Sequence, residues 1–288
     1  MFEETIVQPP LTRRGLVKAS LSVGFCAAIS PVLAQVITTP ADGLVVGEVK
    51  VPTSDAAIPA YRAMPEHGGP FPTVLVVHEA FGVHEHIKDV CRRFARLGYY
   101  AISPELFARQ GDASAEPDMG KLMGAIVYKK PDAEAASDLD ATLAYARASG
   151  SADVAHAAVV GFCWGGRQVW LYAAHNPDLK AAVAWYGPLT WRILQPTALA
   201  RAEHDPPDVV GDLKVPLLGL YGGKDPYTSD TQIEAMNTKL AAAGGQSKII
   251  IYPDGGHGFF ADYRSDYNQA AAEASWGEAT KWLEAHGV

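Results

Sequence analysis

The chain has 288 residues, of which 48% are hydrophobic and 19% charged, a composition typical of a soluble globular protein rather than a disordered or fibrous one. Its formal net charge of -8 argues against a nucleic-acid partner, because binding of phosphate backbones requires a basic surface. Three cysteines are too few for a disulfide-stapled scaffold, and no apolar run reaches the ~20 residues that a membrane-spanning helix needs.

The N-terminal segment has the features of an export signal. The pair Arg13-Arg14 precedes a moderately apolar stretch that ends in a small-residue site at Ala34. This arrangement resembles a twin-arginine signal peptide. We predict a signal over residues 1–34, cleaved between Ala34 and Gln35, and a periplasmic mature protein.

The alternative for this segment is a single uncleaved anchor helix. The apolar stretch is short, contains Ser and Gly, and has Pro31 near its end, so cleavage is favoured. The implied partner is the twin-arginine export machinery, and no part of residues 35–288 is expected to stay in the membrane. The sequence leaves the oligomeric state open, with a monomer favoured.

From residue 45 onward, the hydrophobic pattern alternates between strands and helices. Continuous apolar runs such as TVLVVH at 73–78 are typical of strands buried on both faces of a sheet. The predicted strands cover residues 45–51, 57–63, 73–78, 99–103, 157–161, 181–186, 216–221 and 248–252. The predicted helices cover residues 87–97, 131–148, 165–175, 231–243 and 268–285. The alternation predicts one α/β domain over residues 35–288, with a mostly parallel sheet and helices on both faces.

Residues 187–213 interrupt this alternation. They show no clear period and carry Pro or Gly near their ends. A connection of this length is uncommon in a compact domain unless it has a function, so we predict a lid or a binding loop.

One strand-to-helix turn has the sequence of a nucleophile elbow. Gly161 and Gly165 flank Cys163 at the spacing Gly-x-Cys-x-Gly, with Cys in the place that Ser takes in many hydrolases. The turn is so tight that only glycine leaves room at these two positions. The sulfur lies at a helix N-terminus, which favours the thiolate, and the backbone N–H of Trp164 can stabilise an oxyanion. The alternative is a structural cysteine buried in a glycine-rich turn.

Two further residues complete the chain order nucleophile, acid, base that such a triad requires. Asp225 and His257 each follow a predicted strand, so both are expected at the carboxyl edge of the sheet, where Cys163 lies. We predict that Cys163 is the nucleophile, that His257 is the general base and that Asp225 fixes the imidazole tautomer.

Two other carboxylates are weaker alternatives for the acid of the triad. Asp254 lies in the same loop as His257, and Asp230 directly precedes the predicted helix 231–243. Asp230 is therefore expected to cap that helix, which gives it an ordinary structural role.

These motifs resemble those of the dienelactone hydrolase family, from about residue 72 to the C-terminus. They are HEAFGV at 78–83, SPELFARQ at 103–110, GFCWGG at 161–166, GGKD at 222–225 and GGHGF at 255–259. The resemblance implies an α/β-hydrolase fold, a Cys-His-Asp triad and an enzyme that opens enol-lactones to linear carboxylates. It implies no cofactor, and no metal site is predicted.

The resemblance also implies roles for residues outside the triad. Ala80 supplies the second backbone N–H of the oxyanion hole, and Glu79 is the partner of the resting thiol. Arg109 matches one of two arginines that bind the carboxylate of the substrate, whereas the position of the second is Ala261. The alternatives are that Glu79 is simply a loop carboxylate and that Arg109 is a structural ion-pair partner.

Three functions are compatible with these residues. The favoured one is a hydrolase of enol-lactones or small carboxylate-bearing esters that acts through a thioester intermediate. The second is a general carboxylesterase of neutral acyl esters on the same machinery. The third is a non-catalytic protein that binds a hydrophobic ligand, which the intact triad disfavours because binding alone requires no triad.

Overall fold

Eight strands form one sheet that carries the candidate site at one edge. The computed structural model describes residues 37–192 and 202–288, so the predicted signal over residues 1–34 lies outside the described part of the chain. The strands are β1 (Leu44–Pro52), β2 (Ala57–Pro65), β3 (Phe71–Val77), β4 (Tyr100–Pro104), β5 (Ala152–Phe162), β6 (Ala181–Trp185), β7 (Leu217–Gly222) and β8 (Lys248–Tyr252). Their order across the sheet is β1-β2-β4-β3-β5-β6-β7-β8.

The pairing of the strands is mostly parallel. Strands β3 to β8 pair in parallel, whereas β1 pairs antiparallel with β2, and β2 antiparallel with β4. The carboxyl ends of β3, β5, β7 and β8 therefore lie at one edge. In open parallel sheets this edge is where ligand and active sites occur.

In the described part of the chain, five long helices flank the sheet. They are α1 (Glu85–Arg96), α2 (Asp132–Ala148), α3 (Trp164–His175), α4 (Asp230–Ala243) and α5 (Gln269–Ala285). Shorter helical segments cover Met119–Lys121, Leu122–Ile126, Val127–Lys129, Pro206–Asp208 and Val210–Asp212. Among the described residues, no helix is both long and apolar enough to cross a bilayer.

The predicted strands and long helices are confirmed, with shifts of a few residues at most ends. Strand β5 is the largest exception, because it begins at Ala152, five residues before the predicted start. The helical stretch from Met119 to Lys129 is absent from the prediction, since it combines three short helix types with no sustained 3.6-residue period. The prediction that Asp230 caps α4 is wrong: Ser229 is the cap, in a capping box with Gln232.

Burial of the sheet on both faces explains why its central strands are so apolar. All residues of β4, β6 and β7 are buried, as are the last five of β3. Helices cover these strands on both faces, so neither alternating set of side chains meets water. A rigid, close-packed sheet of this kind fixes the loops at its carboxyl edge.

Candidate active site

The backbone at Cys163 has the strained conformation of a nucleophile elbow. Cys163 has φ 53° and ψ -119°, a region that residues other than glycine rarely adopt, between the end of β5 and the first residue of α3. A Cβ on Gly161 would lie 2.6 Å from the carbonyl oxygen of Gly165, and a Cβ on Gly165 would overlap the carbonyls of Val77 and His78. The two glycines are therefore required by close backbone approach, as the sequence pattern predicts.

The structure brings the three predicted triad residues together. His257 Nε2 lies 3.1 Å from Cys163 Sγ, and His257 Nδ1 lies 2.9 Å from Asp225 Oδ2. All three side chains are buried, with exposures of 2% for Cys163, 1% for His257 and 6% for Asp225. The Tyr227 ring packs edge-on against the imidazole at 4.9 Å. These contacts have the geometry of a nucleophile, a base and an orienting acid.

The charge of His257 depends on its two partners. Burial lowers the pKa of His257, but Asp225 and Cys163 raise it more strongly, so the pKa rises from 6.5 to about 10. Both partners therefore favour the protonated, cationic form of the imidazole. A cation next to Sγ at the N-terminus of α3 favours the thiolate, which is the nucleophilic form of the side chain.

The two alternative acids are engaged elsewhere. Asp254 forms an exposed ion pair with Lys224 at 2.7 Å, and Asp230 is an exposed first-turn residue of α4. Asp225 is also anchored by the backbone, because its Oδ1 accepts a hydrogen bond from the Tyr227 N–H at 2.8 Å. The structure thus favours Asp225 over both alternatives.

The two predicted oxyanion donors lie on elements that meet at the elbow. Trp164 is the first residue of α3, and its N–H is one of the four that a helix leaves without an intrahelical acceptor. Ala80 follows β3 and is fully buried. The close approach of Gly165 to the end of β3 joins these two segments.

Glu79 is buried beside the predicted triad, but its contacts are with tyrosine and histidine side chains rather than with the predicted partner, the thiol of Cys163. Tyr263 donates a short hydrogen bond to Glu79 Oε2, and the hydroxyl of Tyr186 lies 3.4 Å from Oε1. His84 Nε2 lies 3.5 Å from Oε2. In the described residues the thiol instead contacts His257, so the role of Glu79 as resting-thiol partner stays a prediction.

Glu79 is ionised despite its burial. Burial raises its pKa, but His84, His86 and Arg264 lower it, so the pKa is about 2 against an ordinary 4.5. A buried carboxylate of this kind must be neutralised by its surroundings. Here the hydrogen bond from Tyr263 and the positive charge of Arg264 stabilise the ionised carboxylate.

Tyr263 is a partner of Glu79 that no pattern in the sequence predicts. Tyr263 lies in the loop between β8 and α5, and 184 residues separate it from Glu79. No local spacing links the two positions. Arg264 follows Tyr263 and is 2% exposed, and its guanidinium packs against Gly258, directly after His257.

Arg109 lies in an ion-pair cluster. Its Nε donates to Asp55 at 2.9 Å, its Nη1 to Asp138 at 2.8 Å, and its Nη2 to Thr53 at 2.8 Å. Every nitrogen of the guanidinium thus has a protein partner, and Lys130 shares Asp138 at 2.6 Å. These contacts favour the structural alternative, so the carboxylate-binding role has no support in the arrangement of the side chain.

We expect Arg109→Ala to reduce stability without changing substrate selectivity. The substitution removes charged hydrogen bonds to Asp138, which is 1% exposed, so the loss should be about 1–3 kcal/mol of unfolding free energy. Urea unfolding measures this loss. Values of kcat/KM for matched anionic and neutral esters should change by the same factor, with Arg109→Lys as the control that keeps the charge. A loss confined to the anionic ester would restore Arg109 as a substrate-binding residue.

The connection 187–213 is tied to the helix that follows the nucleophile. Residues 193–201 lie outside the described part of the chain. Arg167 of α3 is fully buried, binds both oxygens of Asp132 at 2.7 and 2.8 Å, and donates a short hydrogen bond to the His204 carbonyl. Arg192 binds Asp205 at 3.2 Å. The role of this connection as a lid or binding loop stays a prediction.

The chain is similar to known proteins along most of its length. A family model described as "Dienelactone hydrolase family" matches residues 58–287. A "Putative carboxymethylenebutenolidase" of Methylorubrum extorquens is 51% identical over 282 residues, which are 98% of this chain and 95% of the relative. A protein of the same name from Escherichia coli is 45% identical over 265 residues, 92% of this chain and 96% of the relative.

A solved structure has the same fold, and its sequence identity to this chain is similar to that of the relatives above. It is titled "Crystal Structure of Putative Dienelactone Hydrolase from Klebsiella pneumoniae subsp. pneumoniae MGH 78578". The two structures agree with a TM-score of 0.79 at 44% sequence identity. The match covers 84% of this chain and 98% of that one.

Proposed function

The chain belongs to the dienelactone hydrolase family, and from this premise we propose that it hydrolyses enol-lactones or small esters through a thioester on Cys163. The observation that carries the proposal is the contact between Cys163 Sγ and His257 Nε2 at 3.1 Å, on a strained elbow with Asp225 behind the imidazole. A protein that only binds a ligand needs neither the strained backbone at Cys163, which costs stability, nor a base and an orienting acid next to the thiol.

In the first half-reaction, the Cys163 thiolate attacks the carbonyl carbon of the lactone or ester. The oxygen becomes an oxyanion, for which the N–H groups of Trp164 and Ala80 are the proposed donors. When the tetrahedral intermediate collapses, the C–O bond to the leaving group breaks. The His257 imidazolium gives its proton to the departing alkoxide or enolate, and an enol so formed converts to the keto form.

In the second half-reaction, water hydrolyses the thioester. Neutral His257 takes a proton from the water as its oxygen attacks the thioester carbonyl. Collapse breaks the C–S bond and releases the thiolate and the carboxylic acid, which then loses its remaining proton to solvent and leaves as the carboxylate. Asp225 holds the imidazole in one orientation and stabilises its positive charge in both halves.

One observation favours the second candidate, a carboxylesterase of neutral esters. Arg109 is held by Asp55 and Asp138, and Ala261 occupies the position of the second family arginine. Of the two arginine positions expected to bind a substrate carboxylate, the first is therefore occupied by an arginine that is already paired with aspartates, and the second has no arginine. This reading keeps the same triad and changes only the preferred substrate.

Hydrolysis of a panel of compounds separates the two candidates. The panel contains dienelactone, unsubstituted lactones, and p-nitrophenyl esters that differ in chain length and in a terminal carboxylate. The lactone proposal expects the highest kcat/KM for dienelactone and a covalent thioester on Cys163 that mass spectrometry detects after rapid quenching. Higher kcat/KM for neutral p-nitrophenyl esters would favour the esterase, and no hydrolysis of any compound would overturn both.

We also propose that the protein is exported to the periplasm by the twin-arginine machinery. The proposal rests on Arg13, Arg14 and the apolar stretch up to Ala34. Replacing both arginines with lysine should leave the precursor in the cytoplasm, because the machinery recognises the guanidinium pair. Fractionation and N-terminal sequencing measure this, with a start at Gln35 expected for the wild type. Normal export of the double lysine variant would contradict the proposal.

A further inference from the structure

We infer that His78 is a positioning residue that orients the backbone N–H of Ala80 toward the oxyanion. The inference rests on the proposed function, because it deepens the account of the oxyanion hole. His78 directly follows β3 and is fully buried. Neither the triad nor the predicted substrate contacts assign it a task.

The hydrogen bonds of the ring fix its protonation. The Leu106 N–H donates to His78 Nε2 at 3.0 Å, and a backbone N–H can only donate, so Nε2 carries a lone pair and no proton. The proton is therefore on Nδ1, which donates to the Glu79 carbonyl at 2.7 Å. Burial lowers the pKa of His78, against the opposite effect of Glu105, which agrees with a neutral ring.

The charged group nearest to the His78 ring is the Glu105 carboxylate, which already accepts hydrogen bonds from other donors. Glu105 Oε1 lies 3.4 Å from His78 Nε2, but the same carboxylate accepts from the N–H of Val83 at 2.7 Å and of Phe107 at 3.2 Å. Leu106 lies between Glu105 and Phe107 in the chain. The loop after β4 thus holds the Nε2 side of the ring through its backbone.

The bond to the Glu79 carbonyl controls the direction of the Ala80 N–H. The carbonyl of Glu79 and the N–H of Ala80 belong to one peptide unit, which is planar and trans, so the two groups point in opposite directions. Fixing the carbonyl on the His78 side therefore fixes the N–H on the other side. The only other donor to this carbonyl among the described residues is the Gly82 N–H at 3.4 Å, a longer and weaker bond.

The His78 ring also contacts Trp164, whose N–H is the other proposed oxyanion donor. The His78 ring stacks on the Trp164 indole with centroids 5.6 Å apart and planes at 19°, and it meets Phe107 edge-on at 4.8 Å. Gly165 packs against the carbonyls of Val77 and His78. One neutral histidine thus touches both segments that carry the proposed oxyanion donors.

Two substitutions separate the two hydrogen bonds of the ring. In His78→Asn the amide nitrogen takes the place of Nδ1 and can still donate to Glu79, whereas in His78→Gln the amide lies near Nε2 and loses that bond. We expect kcat for a p-nitrophenyl ester to fall about 10²-fold in His78→Gln and less than about tenfold in His78→Asn, with little change in KM. Equal losses in both variants would overturn the inference.

Two further measurements make the test independent of folding and of the proposed function. Alkylation of Cys163 by iodoacetamide forms no oxyanion, so its rate should be the same in both variants and the wild type if only the oxyanion hole has changed. Nitrogen-15 NMR of the intact wild-type enzyme should show His78 as the neutral Nδ1–H tautomer around neutral pH. An Nε2–H tautomer or an imidazolium would overturn the inference even if neither variant folds. Failure of the proposed function would appear separately, as wild-type protein that forms no thioester.

Discussion

Replacing Cys163 with alanine is expected to lower kcat by about 10⁴-fold or more. The substitution removes the atom that forms the thioester, so only direct attack by water, assisted by the remaining oxyanion donors, is left. The surrounding fold should persist, because the elbow strain lies in the backbone and alanine is smaller than cysteine. Steady-state kinetics on a reactive p-nitrophenyl ester measures the loss.

The buried Cys91 provides the matched control. It is 0% exposed on the inner face of α1, and burial raises its pKa well above the ordinary value. Cys91→Ala should therefore reduce stability but leave kcat nearly unchanged, and iodoacetamide should label Cys163 before Cys91. Turnover near the wild-type level in Cys163→Ala would remove the basis of the proposed function.

A large loss, about 10⁴-fold in kcat, is also expected for Asp225→Asn. The asparagine keeps the size of the side chain but can present its NH₂ to His257 Nδ1, which favours the wrong tautomer and removes the charge that stabilises the imidazolium. The Tyr227 N–H can still donate to the remaining side-chain oxygen, so the loop should keep its shape.

Asp225→Asn should also change how the free energy of unfolding depends on pH. His257 has a folded pKa of about 10 against an ordinary 6.5, so its charged form stabilises the fold fully below pH 6.5, and this contribution is lost as the pH rises through about 10. Asp225 raises this pKa, so Asp225→Asn should lower it and move the loss of stability to lower pH. Urea unfolding at a series of pH values measures the shift.

Asp254→Asn is the control for this comparison. Asp254 belongs to the histidine loop but forms only an exposed ion pair with Lys224. Its substitution should leave kcat and the pH dependence of unfolding nearly unchanged. A large loss of kcat in Asp254→Asn together with an active Asp225→Asn would exchange the roles of the two acids.

The sequence by itself determined the fold class and predicted the three residues that the structure brings together at the elbow. Strands buried on both faces are read from continuous apolar runs, and helices from apolar residues three and four apart, because these periods follow from local backbone geometry. The elbow is equally local: the space required around Cys163 is set by Gly161 and Gly165, two residues to either side. Asp225 and His257 could be placed because each lies in the loop that follows a strand, and neighbouring parallel strands end at one edge.

Only the tertiary structure decided which partner each remaining charged side chain takes. Arg109 binds Asp55, 54 residues before it, and Glu79 binds Tyr263, 184 residues after it. An ionised group inside a protein pairs with whichever opposite charge or hydrogen-bond donor the packing brings within about 3 Å. That distance cannot be predicted from the separation of the two residues in the sequence. The hydrogen bond from His78 to the Glu79 carbonyl joins adjacent residues, but its direction depends on Leu106, which packing alone brings to the other side of the ring.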